Sequence, residues 1–276
     1  MLNIITISGD IGGGKSAVAK SLEQTLGYAV IGTGSIQREI AKKRGLTTLE
    51  LNQLSITDKS IDDEIDGFVV ALGKTRRDII IDSRLAWHFI PEAFKAFLTV
   101  DPLIGAQRVY GDQRAEEQNP TLAKTLANNL QRQALETERF KKLYGVDLRD
   151  FRNYAAVIDT SHSPPVAIAA KLAELYQAAL RGENFPRLWL NARRLTPTKD
   201  YTPDNLDALR ETLRSQGFNP AEPLSVALQA GHIYLLADHR RALAAHLEGL
   251  DLLPCRIETD YSPPSAATPW PWQTDA

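Results

Sequence analysis

Residues 9–16 read Gly-Asp-Ile-Gly-Gly-Gly-Lys-Ser, which satisfies G-x-x-x-x-G-K-[S/T] at every fixed position. The run before it, residues 2–7, is short, apolar and rich in isoleucine. The run after it, residues 15–26, is amphipathic at helical spacing and stops at Gly27. A strand that feeds a glycine loop opening directly into a helix leaves few folds available, because the loop must turn its backbone N–H groups inward. Those N–H groups and the positive end of the helix suit a phosphate. Lys15 is then placed to reach the β- and γ-phosphates, and the Ser16 hydroxyl to ligate Mg²⁺. The pattern predicts binding of ATP or GTP, with Gly9, Asp10, Ile11, Gly12, Gly13, Gly14, Lys15, Ser16 and Ala17 as the donor-site residues.

The pattern continues downstream. Short apolar runs at residues 28–31, 79–81, 97–100 and 155–158 alternate with helical stretches at 58–72, 121–144 and 166–180. Such alternation predicts an α/β fold with a five-stranded parallel sheet flanked by helices. The pattern breaks at Arg181-Gly182-Glu183-Asn184. Beyond it, helices at 202–216 and 239–247 and strands at 224–228, 233–236 and 253–257 predict a small α+β unit. A chain of 276 residues has room for two such units. The expected division is 1–182, 183–261 and a proline-rich tail at 262–276, read as extended or disordered unless Trp270 or Trp272 docks.

Composition excludes several classes. Lys plus Arg number 32 against 34 Asp plus Glu, so nucleic acid binding would need a local patch and is not favoured. A single cysteine, Cys255, excludes an internal disulfide framework and a zinc site built on Cys. The first residues resemble neither a signal peptide nor a membrane span, so a cytoplasmic protein is expected, with no membrane partner.

A phosphate loop alone does not name a reaction; the arginines narrow it. Gly34 and Arg38 follow the second apolar run, and Asp82-Ser83-Arg84 ends the third. In an open parallel sheet, ligands sit at the carboxyl ends of the strands. Arg38 and Arg84 are therefore candidates for a second anionic group, or else members of surface ion pairs. Asp82 is a candidate to hold Mg²⁺ through water or to orient the acceptor. Arg132, Glu136 and Arg139 share one helix face. That face reads either as a solvated salt-bridged surface or as a mobile cover carrying arginines over a transferring phosphoryl group.

These segments together resemble nucleoside monophosphate kinases of the cytidylate kinase-like branch, over about residues 4–180. The carriers are the loop at 9–16, GTGSIQREIA at 32–41, DSRLAWHFIP at 82–91, RVYGDQR at 108–114, RQALETER at 132–139, YGVD at 144–147 and AAVIDTS at 155–161. The resemblance implies ATP as donor, a monophosphate acceptor seated by Arg38 and Arg84, and a lid carrying Arg108, Arg114, Arg132 and Arg139. It also implies that Asp159, Thr160 and Ser161 lie near the nucleotide base. Two positions depart from the family pattern and touch the acceptor pocket. Asp82-Ser83-Arg84 stands where Glu-Gly-Arg or Asp-Gly-Arg is usual, and Gln37 stands where Phe is usual.

Residues 186–258 resemble the ParB/sulfiredoxin-like domain, carried by LSV at 224–226 and LLADHRRALAA at 235–245. A helix start with Arg240 and Arg241 favours an anion, so Asp238, His239, Arg240 and Arg241 form a candidate second anion site. Asp238 stands where the resemblance implies glycine and suits a helix N-cap better than a phosphate neighbour. His239 stands where sulfiredoxins need a cysteine, which excludes their reductase chemistry. The leading expectation is ATP-dependent phosphoryl transfer, with Mg²⁺, to CMP or dCMP. The alternatives are a nucleotide-sensing regulator whose ParB-like unit binds DNA or protein, and a kinase of another small acceptor whose C-terminal unit completes the pocket. A chain ending near Arg181 is expected to fold and to bind ATP.

Overall fold

The computed structural model describes residues 3–46, 50–51, 54, 58–112, 121–199, 206–229, 231–259 and 270. Strand β1 (Ile4–Gly9) is buried along its whole length. It runs parallel to β3 (Ile79–Asp82) on one side and β4 (Phe94–Thr99) on the other, with Ile5 opposite Ile80 and Ser8 opposite Phe97. Strand β2 (Ala29–Gly32) flanks β3, and β5 (Ala156–Asp159) flanks β4, both parallel. The alternation of a pleated strand divides β1 between two cores. Ile5 and Ile7 pack with Val18 and Leu22 of helix α1 (Lys15–Leu26) and with Ile168 and Leu172 of α7 (Pro165–Leu180). Ile4 points the other way, into a cluster with Ile36 and Ile40 of α2 (Thr33–Arg44) and Val69 and Leu72 of α3 (Lys59–Thr75). Helices thus cover both faces, as the apolar runs predict.

The sheet is not limited to five strands. Its order is β2-β3-β1-β4-β5-β6-β10-β8-β9-β7, ten strands in all among the described residues. The additions are β6 (Leu188–Leu190), β7 (Leu195–Pro197), β8 (Leu224–Gln229), β9 (His232–Leu235) and β10 (Leu253–Ile257). Strand β6 runs parallel to β5, with Val157 opposite Leu188, and β10 runs antiparallel to β6. The physical reason is the open edge that β5 would otherwise present, a row of unpaired N–H and C=O groups. The Val157 N–H instead donates to the Arg187 carbonyl at 2.7 Å. One apolar cluster continues across the join, from Phe97, Tyr154 and Val157 to Leu188, Leu190, Leu224, Leu235 and Trp270.

Trp270 is fully buried, and its indole N–H donates to the Leu195 carbonyl at 2.8 Å. The expected disorder of the tail therefore does not extend to this residue; 260–269 and 271–276 lie outside the described residues. Helix α4 (Ala86–Phe89) follows β3, and α5 (Pro102–Gly111) follows β4. Asp101 caps α5 through the N–H groups of Leu103 and Ile104, with Pro102 at the first helical position. Helix α6 (Leu122–Tyr144) starts at a Thr121 cap and stops at Gly145, where φ is 70°. Helices α8 (Asp207–Gln216) and α9 (His239–Leu247) complete the C-terminal part. No helix among the described residues is long and apolar enough to cross a membrane.

Candidate active site

The loop between β1 and α1 is shaped by two glycines. Gly12 has φ 76°, and a Cβ there would strike the Gly105 carbonyl of α5. Gly14 has φ 74° at the N-terminus of α1, with nothing within 4 Å of where a Cβ would stand. One glycine lets backbone pack on backbone; the other leaves the helix end open. The loop borders a cleft of about 1170 Å³ at the carboxyl ends of the parallel strands. Ile11, Gly12, Gly13, Gly14, Lys15, Ser16 and Ala17 line one side of it, and Gly34, Arg38, Asp82 and Arg84 line another. Arg108, Arg132, Glu136, Thr160 and Ser163 close the rest.

Charge in the cleft is organised around Lys15. Burial and the neighbouring Arg84 pull its pKa down to about 8, against the smaller opposing pull of Asp82, Asp10 and Glu136. The Ser16 hydroxyl donates to Asp82 Oδ2 at 2.7 Å, so the two predicted magnesium-side groups meet directly. Arg84 Nη1 donates to the Gly9 carbonyl at 2.8 Å, and the Arg84 carbonyl accepts from Ser8 Oγ and Trp87 Nε1, each at 3.0 Å. Arg108 joins two loops: its Nη2 donates to the Thr160 carbonyl at 2.6 Å and its Nη1 to the Gly12 carbonyl at 3.2 Å.

Other predicted residues lie elsewhere. Asp10 is buried, and its carboxylate accepts from Thr99 Oγ1 at 2.9 Å, Val100 N at 3.2 Å and Arg149 Nη1 at 2.8 Å. It braces the loop from below the cleft. Asp159 and Ser161 are also buried, behind the wall that Thr160 presents. Arg139 does not line this cleft and pairs with Asp62 of α3. Arg114 lies outside the described residues.

Residues 4–162, more than half of the sequence, match the model of the cytidylate kinase-like family. The chain belongs to that family. A cytidylate kinase of Sulfurisphaera tokodaii is 33% identical over 183 residues, 66% of this chain and 98% of that protein. An S-adenosylmethionine-dependent nucleotide dehydratase of Lacinutrix mariniflava is 33% identical over 174 residues, 63% of this chain but 36% of that protein. Among solved structures, an uncharacterised protein of Eubacterium ventriosum superposes with a TM-score of 0.50 at 15% identity. It covers 63% of this chain and 98% of that one, a likeness of fold.

The kinase keeps its C-terminal candidate anion residues in a different arrangement from the cleft. Asp238 precedes α9 with φ 60°, a left-handed conformation that glycine adopts most readily. Its carboxylate makes no cap to α9; it stands 3.5 Å from Arg241 Nη1. The expected N-cap role fails because the left-handed turn aims the side chain away from the helix N–H groups. His239 is buried, its Nε2 accepting from the Thr198 N–H at 3.1 Å, and burial lowers its pKa. Arg241 lies 4.5 Å over the Phe218 ring and donates to the Glu222 carbonyl at 3.1 Å, while Arg240 is exposed.

Three side chains around the site carried no signal in the pattern. Arg149 holds Asp10, Ser163 lines the cleft with its buried hydroxyl unpaired, and Arg194 holds Asp159. Each acts across 30 or more residues or through burial, and neither spacing nor motif reports such partners.

Proposed function

We propose that this kinase transfers the γ-phosphoryl group of ATP to a nucleoside monophosphate, with CMP or dCMP as the first acceptor to examine. The observation that carries the reading is the single cleft in which Lys15 and the glycine loop face Arg38 and Arg84. A donor phosphate chain and an acceptor phosphate need two cationic cradles that share one space. The cytidylate kinases among the relatives support the choice of acceptor. Both substrates are nucleotides of the cytoplasm, where we place the enzyme.

In this reading the loop N–H groups from Gly12 to Ser16 hold the donor phosphates. Lys15 carries positive charge to the oxygens that gain negative charge during transfer. Arg108 and Arg132 add charge from the cleft wall, and Arg38 and Arg84 fix the acceptor phosphate. The residues present fit Mg²⁺, since Ser16 Oγ and Asp82 Oδ2 offer adjacent hard oxygen ligands 2.7 Å apart. When bound there, the ion would neutralise charge on the phosphate oxygens. Asp82 also orients the end of β3 through its carbonyl, which accepts from Thr33 Oγ1 at 3.1 Å.

The test is release of ADP from ATP, measured across CMP, dCMP, UMP, AMP, GMP and dTMP. Acceptor-dependent ADP release fastest with CMP or dCMP is the expected result. ADP release that no monophosphate stimulates would defeat the proposal. Replacing Arg38 or Arg84 by Met should raise the acceptor KM more than the ATP KM.

A further inference from the structure

One wall of the donor cleft rests on a side chain from beyond the family segment. Residues 159–161 follow β5. Thr160 Oγ1 donates to the Gly13 carbonyl at 3.1 Å, and Arg108 Nη2 donates to the Thr160 and Ser161 carbonyls at 2.6 and 3.2 Å. Arg194 holds the same loop from behind. Its Nη1 donates to Ser161 Oγ at 3.1 Å and to Asp159 Oδ1 at 3.3 Å. This pair is sealed from water, with 9% of the Arg194 side chain and 0% of the Asp159 side chain exposed. Asp159 also accepts from the Ser161 N–H at 3.2 Å, the Ser161 hydroxyl at 2.5 Å and the Asn191 N–H at 3.3 Å.

The position of Arg194 comes from the extended sheet. Pairing of β6 with β5 brings the chain to the end of β5. Asn191 then caps the short turn 192–194, its Oδ1 accepting from the Arg193 N–H at 2.9 Å. The path from Arg194 to the phosphate loop is a continuous set of hydrogen bonds: Arg194 to Ser161, the 160–161 peptide to Arg108 and Thr160, and both of these to Gly12 and Gly13.

We propose that Arg194 is a positioning residue for the donor site, through which the C-terminal part of the chain sets the affinity for the donor nucleotide. The inference rests on the reading that ATP occupies the glycine loop. Without the guanidinium, Ser161 Oγ loses its donor and the buried Asp159 carboxylate loses its cationic partner, so the loop is no longer fixed from behind and shifts. That movement withdraws the carbonyls that hold Arg108 against the phosphate loop. Lysine would restore the charge on a shorter side chain, without the guanidinium that sets Nη1 between Ser161 Oγ and Asp159 Oδ1 and turns Nε toward Asp101, 3.9 Å away.

The experiment is calorimetric titration of the full chain with ATP, beside steady-state kinetics, for the wild type, Arg194→Lys, Arg194→Met and the pair Asp159→Asn with Arg194→Met. Arg194→Met should raise the ATP Kd at least tenfold while the acceptor KM stays within twofold. Arg194→Lys should fall between it and the wild type. The double variant removes both charges of this pair but still lacks the donor to Ser161 Oγ, so it decides the matter if Arg194→Met fails to fold; its melting temperature should stay near wild type with the ATP Kd still raised. An unchanged ATP Kd in either folded variant would overturn the inference, as would equal loss of affinity for both substrates. A wild-type chain that binds no ATP would overturn the donor-site reading and this inference together. A wild type that binds ATP beside variants that bind it equally would overturn this inference alone.

Discussion

Arg84 and Glu136 meet across the cleft, with Nη1 of the first 3.3 Å from Oε2 of the second. Arg84 comes from the end of β3 and Glu136 from the middle of α6, so the contact joins the sheet to the long helix that covers it. Glu136 Oε1 accepts from Arg132 Nε at 3.1 Å, whereas its Oε2 is buried without a hydrogen bond. A carboxylate thus stands beside the guanidinium that the proposed function assigns to the acceptor phosphate. Glu136→Gln should lower the acceptor KM about fivefold, the order of 1 kcal/mol for a partly exposed ion pair. The ATP KM should change less than twofold. An acceptor KM that rises instead would mean that Glu136 holds Arg84 in place rather than competing for it.

Lys15 offers a pH signature with a definite sign. Its pKa of about 8 in the free chain means that it loses its proton as pH rises through 8. Donor phosphates favour the charged form, so binding ATP above that pH must take up a proton. The ATP Kd should rise roughly tenfold for each pH unit above 8. Calorimetry in buffers of different ionisation enthalpy at pH 8.5 measures the uptake, and Lys15→Met should abolish it.

Removal of the same amine should stop the chemistry without unfolding the chain. Lys15→Ala is expected to reduce turnover by about a hundredfold or more, the scale of losing one preorganised charge at a phosphoryl-transfer site. Circular dichroism and melting temperature should stay within the range of the wild type. Turnover that survives in this variant would remove the glycine loop from the reaction.

Two glycine variants separate packing from ligand space. Gly12→Ala meets both a left-handed φ of 76° and the Gly105 backbone, and should destabilise the chain by about 2 kcal/mol or more. Gly14→Ala meets only the left-handed φ of 74°, with open space around it, and should cost about 1 kcal/mol. Thermal melts rank the two. Equal melting temperatures would show that the contact of α5 with the loop is loose.

Trp270 anchors the end of the chain. Trp270→Ala removes a fully buried indole and its bond to the Leu195 carbonyl, and should destabilise folding by about 3–5 kcal/mol. Denaturant titration reads this directly. A loss under 1 kcal/mol would mean that the segment dissociates without consequence for the core.

Local chemistry makes much of the kinase legible in its residue order. The octapeptide 9–16 carries its own geometry, since glycine most readily adopts the left-handed turns at Gly12 and Gly14 and the helix opens at Lys15. The isoleucine-rich runs form β1 and β3 because the sheet is covered on both faces, so that even Thr6 and Ser8, which alternate with Ile5 and Ile7, are buried. The strand at 253–257 has the predicted bounds. By contrast β6 and β7 have three residues each, too few to show any period, and their existence depends on an edge to pair with.

Residue types and spacing by themselves determined the phosphate loop, the α/β class and the arginines that face it. Tertiary structure decided which of those groups meet. Asp10 found Arg149, Asp159 found Arg194, and Trp270 found Leu195, over separations of 139, 35 and 75 residues. Such partners are chosen by strand pairing and by the need to satisfy buried charge and buried N–H groups, and no local pattern encodes either.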